Sequence, residues 1–220
     1  MDRSVFLDRL RTRLAAAEVP NLAHPLERVE GVPRPGYPPT DDVVGTLRDA
    51  AAAKGWHVRD VEGDRAAVER LLTEVVRVHD VRRAMCSADP EVVDLDVAGV
   101  LRAIGVEVVP FDGPTAGADV ELGVTGAAFA IAATATFVQS SARAGGRSAS
   151  LVPPVHLALV RRATVLHTPS DLWRDLPERF PQGLPSQVVF ASGPSRSADI
   201  EFTLTIGVHG PKVVWMGILP

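Results

Sequence analysis

DDVVGTLRDAAAAKGWHVRDVEGDRAAVERLLTEVVRVHDVRRAMC, residues 41–86, switches between a helical and an extended hydrophobic pattern, and that alternation decides the fold class. Thr40-Asp41-Asp42 offers capping side chains for a helix running to about Lys54, where Gly55 ends it. Trp56 to Val61 is a strand candidate. Asp64 to Val78 places Val68, Leu71, Leu72, Val75 and Val76 on one helical face. Arg82 to Cys86 reads as a short strand. Beyond it, Asp94 to Ile104 is predicted helical, Gly105 stops it, and Val106 to Val109 is a further strand. Strands separated by helices require crossover connections, so an α/β fold with a mostly parallel sheet is expected.

On the N-terminal side, Ser4 to Ala17 reads as a helix with Phe6, Leu7, Leu10 and Leu14 on one face. The proline-rich stretch Pro20 to Thr40 is an extended connector. Residues 1–40 are therefore expected to be an appendage and 41–220 the α/β domain. Toward the C-terminus the block ADVELGVTGAAFAIAATATFVQSS (118–141) is rich in small residues and uncharged from Gly123 to Ala142. Glu121 to Thr125 and Thr134 to Gln139 are expected strands, joined by an Ala-rich turn or helix. Arg143 to Arg147 is expected to be a flexible cationic loop. One strand is expected to end and another to begin at Pro153-Pro154, and Pro169 to Phe180 is an expected helix.

The last stretch, VVFASGPSRSADIEFTLTIGVHGPKVVWMGILP (188–220), carries the candidate chemistry. Val188 to Ala191 and Val213 to Leu219 read as buried strands. Between them lie two polar corners, Ser192 to Arg196 and Gly207 to Pro211, each pinned by a Gly-Pro pair. Open α/β sheets place ligands beside strand ends, and both corners adjoin one. Pro194 suits the first position of a helix, with Ser192 as its N-cap. Ser192, Gly193, Ser195 and Arg196 would then aim N–H groups, hydroxyls and a guanidinium at one anion, with His209 and Gly210 as a wall. Asp199 and His209 are the catalytic candidates. Thr125, Thr134, Thr136 and Arg147 are further binding candidates from the small-residue block.

Composition narrows the classes. The 220 residues carry a formal charge of −4, without the basic face of a general nucleic-acid binder. One cysteine, Cys86, excludes an intrachain disulfide or a four-thiolate cluster within this chain, and it reads as an inert buried thiol. No apolar run reaches the roughly 20 residues of a membrane span, and a cytosolic setting is expected. The six histidines are scattered without metal-ligand spacing, so no metal or cofactor is expected.

Three stretches resemble the LUD-domain family, in particular its lactate-utilisation protein C branch. They are the block 118–141, SASLVPPVHLALVRRATVLHTPSDLW (148–173) and SGPSRSADIEFTLTIGVHGPKVVWMGIL (192–219). The resemblance implies a three-layer α/β/α fold like that of ribose-5-phosphate isomerase and the CoA transferases. It also implies a cytoplasmic role in oxidising L-lactate to pyruvate beside an iron–sulfur protein and a cysteine-rich partner. On that reading the chain binds an organic acid or bridges redox partners, without a redox centre of its own. Where the family pattern reads Ala-Glu-Thr-Gly-Thr, this chain has Ala132-Ala133-Thr134-Ala135-Thr136, so a carboxylate and a glycine are replaced. Two alternatives stay open: an independent enzyme for a small phosphorylated or acyl substrate, and a purely structural or regulatory component.

Overall fold

The computed structural model describes residues 3–16, 36–110, 119–174, 176–181, 183, 185–198, 204–206 and 210–220. It divides into two units, Met1–Gly36 and Tyr37–Pro220. The first holds helix α1 (Arg3–Ala16), in which the Thr12 hydroxyl donates to the Asp8 carbonyl at 2.8 Å. The side chains of Phe6, Leu10 and Leu14, and residues 20–35 of the expected connector, lie outside the described residues.

The second unit opens with α2 (Val43–Ala53), started by the Asp42 carboxylate accepting the Gly45 N–H at 2.7 Å. Next come β1 (His57–Asp60), α3 (Arg65–His79), β2 (Arg83–Cys86), α4 (Pro90–Val93), α5 (Val97–Ala103) and β3 (Glu107–Val109). Asp64 caps α3 through the Ala67 N–H at 2.6 Å. The small-residue block supplies β4 (Leu122–Gly126), β5 (Phe129–Ile131) and β6 (Thr136–Ser140). Helices α6 (Ser141–Ala144) and α7 (Ser148–Leu151) lead to β7 (Val155–Arg161) and β8 (Val165–Leu166). Then follow α8 (Pro169–Arg174), α9 (Leu176–Arg179), β9 (Val188–Ala191), β10 (Arg196–Ala198), β11 (Leu204–Ile206) and β12 (Val213–Leu219).

Six strands form one parallel sheet in the order β1-β12-β7-β4-β2-β3. The expected α/β class with a mostly parallel sheet is what the chain adopts. Its central strands are buried on both faces, so β7 and β12 read as continuous apolar runs. Alternation within them sorts the core. Leu122, Val124, Leu157, Leu159 and Trp215 pack under α3 and α5, whereas Ala158, Val160, Val214 and Met216 pack under α2 and the smaller sheet. That smaller sheet, ordered β8-β5-β6-β9, shares the second outer layer with α2.

Several local expectations give way to packing. The Ala-rich stretch 126–133 carries strand β5: Ala127, Ala130 and Ala132 leave room for the small sheet to lie directly on the large one. The predicted helix 94–104 is interrupted at Asp96, which is left-handed (φ 47°) and caps α5 through the Gly99 N–H at 3.2 Å. Arg143 to Arg147 is not a continuous loop, because α6 runs to Ala144 and left-handed Gly145 closes it. A helix, α7, precedes Pro153-Pro154 where a strand end was expected. Of the expected helix 169–180, the described residues form α8 and α9, and residue 175 between them lies outside the described residues. Strand β9 is an edge strand pairing with β6 alone, and Phe190 is half exposed against Trp173. The expected helix start at Ser192–Ser197 is replaced by a hairpin, in which β10 pairs antiparallel with β11 from Arg196↔Ile206 to Ala198↔Leu204. The alternating Leu204-Thr205-Ile206 supplies a ladder that satisfies those backbone groups.

Among the described residues no helix is long and apolar enough to cross a membrane. One close approach fixes the second face: a Cβ on Gly123 would lie 1.7 Å from the Ala149 carbonyl oxygen, so α7 rests on bare β4 backbone. Gly123→Ala is therefore expected to destabilise the chain by about 3 kcal/mol or more, since backbone has no rotamer with which to yield. Urea denaturation would measure it, and an unchanged midpoint would contradict this packing.

Candidate functional site

The two C-terminal corners meet. The Ser195 N–H donates to the Pro211 carbonyl at 2.9 Å, and a Cβ on Gly210 would lie 3.2 Å from that of Ser195. They meet, however, at the amino ends of the sheet strands. Lys212 and Val213 N–H groups donate to the Pro154 carbonyl at 2.8 and 3.1 Å, just before β12 and β7 begin. Ligands of open α/β sheets sit at the opposite, carboxyl ends.

Much of the expected donor set is occupied internally. The Ser192 hydroxyl shares a 2.6 Å hydrogen bond with Thr136, which shares a 2.9 Å bond with Thr134. Lys54, which the sequence did not single out, ties this patch together: its ammonium donates to the carbonyls of Thr134, of Ala135 at 3.4 Å and of Ser192 at 3.0 Å. Gly193 is left-handed (φ 134°) and passes so near Trp56 that a Cβ would lie 3.2 Å from the indole nitrogen. That nitrogen is buried without a hydrogen-bond partner. Arg196 belongs to β10, so the helical N–H cluster it was expected to join is absent. The side chain of Arg196, and Asp199 and His209 altogether, lie outside the described residues. Ala135, in place of the family's glycine, holds φ 39° with its methyl buried against α2.

Thr125 and Arg147 sit elsewhere. Arg147 is exposed at the start of α7, where its carbonyl accepts the Ser150 hydroxyl at 3.0 Å. Thr125 lies inside the core, where Gln139 Nε2 donates to its hydroxyl oxygen at 2.6 Å. The same hydroxyl shares a 2.9 Å hydrogen bond with His156 Nε2. Burial pushes the His156 imidazole down to about 3, so it stays neutral at pH 7.

A second cluster occupies the carboxyl ends of β2, β4 and β7, three adjacent strands. Ser87-Ala88-Asp89-Pro90-Glu91 follows β2 directly. Asp89 is 1% exposed: Oδ2 accepts the Ser87 hydroxyl and, at 3.1 Å, the Gly126 N–H, while Oδ1 is buried without a partner. Burial raises its carboxyl above the usual range, against the pull of Ser87, Gly126 and Arg143. Glu91, 3% exposed, accepts from Arg143 Nη2 at 2.9 and 2.8 Å and faces Arg161 Nε at 3.4 Å. The Ala88 N–H donates to the Ala144 carbonyl at 3.1 Å and so docks α6 here. Neighbouring Cys86 has its thiol pushed up to about 12, which suits an inert residue. Sequence reading passed over these carboxylates. Their signal was position alone: Ser-x-Asp-Pro-Glu immediately after a strand of an α/β sheet.

The His156 network yields a pH prediction. Its folded value of about 3 lies below the ordinary 6.5, so its contribution is full above pH 6.5 and is lost as pH falls toward 3. From pH 7 to pH 5 the loss is about 2 kcal/mol. His156→Gln should remove that slope in urea titrations, and an equal slope in the variant would contradict the assignment.

Comparison with known proteins agrees with this architecture. The LUD domain family model matches residues 115–215. Lactate utilization protein C of Halalkalibacterium halodurans is 30% identical over 203 residues, spanning 84% of this chain and 86% of that protein. The protein of the same name from Bacillus licheniformis is 28% identical over 235 residues, 94% of this chain and 91% of its own. A crystal structure of a DUF162 family protein from Deinococcus radiodurans superposes with a TM-score of 0.61 at 20% identity, over 83% of this chain and all of that one, which is a likeness of fold. The chain thus belongs to the LUD-domain family, of the lactate utilization protein C type.

Proposed function

We propose that this chain is a cytoplasmic component of a lactate-utilisation system that binds an organic acid and has no redox centre of its own. The observation that carries the reading is the relative named lactate utilization protein C, 30% identical along 84% of this chain. Two features support the non-redox part. A single cysteine cannot supply the four thiolates of an iron–sulfur cluster, and burial holds that thiol protonated. Electrons from lactate would then pass through separate iron–sulfur and cysteine-rich subunits, with this chain positioning the acid or bridging those partners.

A cell lacking its own copy should fail to grow on L-lactate while growing normally on pyruvate, and this chain supplied in trans should restore growth. An affinity-tagged chain should also bring down a brown, iron-containing partner. Normal growth of the deleted cell on L-lactate would overturn the reading.

A further inference from the structure

Strand β9 carries an open edge. It pairs with β6 on one side, and among the described residues nothing pairs with the other. The Ser141 N–H donates to the Gln187 carbonyl at 3.1 Å, which sets the phase of this antiparallel ladder. Gln187, Val189 and Ala191 therefore turn their backbone groups to β6, and Val188 and Phe190 turn theirs outward. Sheet edges are commonly guarded by a lysine, a proline or a bulge. Residues 186–192, SQVVFAS, have neither of the first two and carry no charge. The register from Phe137↔Ala191 to Ser140↔Val188 runs without a bulge.

The side chains on this rim are apolar. Val188 packs against the cluster of Ile131, Val138 and Leu172 beneath α8. Phe190, on the same face, stacks on Trp173 with centroids 5.6 Å apart and planes at 24°. Both rings stay open to solvent, Trp173 57% and Phe190 40% exposed. An edge with unpaired backbone groups is complementary to another strand, and the sequence of β9 selects which one.

We propose that β9 pairs antiparallel with β9 of a second copy of this chain, about a two-fold axis through Val189. In that register Val188 lies opposite Phe190 of the partner subunit, and Phe190 opposite Val188 of the partner subunit. The outward N–H groups of each copy then meet the outward carbonyls of the other, with none left over. Each Phe190 also gains an apolar neighbour directly across the ladder, beside its own Trp173. The strand is thus its own complement in backbone phase, in side chains and in charge. No like charges oppose the match, and a charged peptide finds no opposite charge on the strand. A two-fold contact is closed, so it covers both edges without growing into a fibre. So short a strand makes a small interface, and the pairing is therefore reversible.

Sedimentation equilibrium of the full chain tests it. Monomer and dimer should exchange with a dissociation constant of about 10 μM, the scale of a small interface. Phe190→Lys puts a charge on the rim, and Val188→Pro removes an N–H that faces away from β6. Each should weaken the dimer about tenfold or more, the scale of one hot-spot side chain, with urea midpoints confirming that both variants fold. The register has its own readout. Val189→Cys sets two thiols across the axis as a non-hydrogen-bonded pair, about 4.5 Å apart at Cα and within disulfide reach. Mild oxidation should link Val189→Cys chains covalently and leave Ser186→Cys chains unlinked, with Cys86 common to both. A chain that stays monomeric up to about 1 mM would overturn the pairing. So would a dimer that both rim variants leave unchanged, or a Val189→Cys chain that links no faster than Ser186→Cys.

Discussion

Glu91 and Asp89 can be buried side by side only because Gly126 has no side chain. A Cβ there would lie 2.5 Å from Glu91 Oε2 and 2.6 Å from the Asp89 Cβ. Two carboxyl groups thus press on the last residue of β4, and each needs compensation in a poorly solvated place. Glu91 receives it from Arg143 and Arg161. Asp89 receives a hydroxyl and a backbone N–H on one oxygen, and burial shifts it toward its neutral form. Breaking such a pair by removing one partner costs more than the pair contributes when intact. The arrangement therefore specifies geometry: it holds α6, and with it Arg143, over the carboxyl ends of β2, β4 and β7.

The amino end of the same sheet is built differently. There Lys54 reaches from the end of α2 to three carbonyls, and the Thr134–Thr136–Ser192 hydroxyls bond one another. Those hydroxyls and that ammonium join the small sheet to the strands beneath it, while the Trp56 indole N–H beside Gly193 is left unpaired. The carboxyl end instead buries carboxylates, with Arg143 and Arg161 compensating Glu91.

Much of the fold was legible because it rests on local signals. Thr40-Asp41-Asp42 marked the start of α2, Gly55 its end and Gly105 the end of α5, and strand–helix alternation implied a parallel sheet. Misreadings arose where tertiary pairing overrode local chemistry. Ser192-Gly193-Pro194 has a helix-start pattern, yet the ladder between β10 and β11 and the Ser195–Pro211 bond claim that backbone. Ala127 to Ala132 has helix-forming residues, but small side chains at a sheet–sheet contact favour a strand. The corners' adjacency was anticipated from their Gly-Pro pairs; the end of the sheet was not, because strand direction relative to a corner emerges only from topology. Glu91 and Arg143 are 52 positions apart and share no motif, so their pairing could not be seen without the fold.

The account's central claim is that a bare Gly126 makes room for two buried carboxyl groups at the carboxyl end of the sheet. Urea denaturation of Gly126→Ala tests it most directly. The variant should lose about 3 kcal/mol, because a methyl group there meets the Asp89 Cβ and the Glu91 carboxylate. An unchanged midpoint would contradict the account.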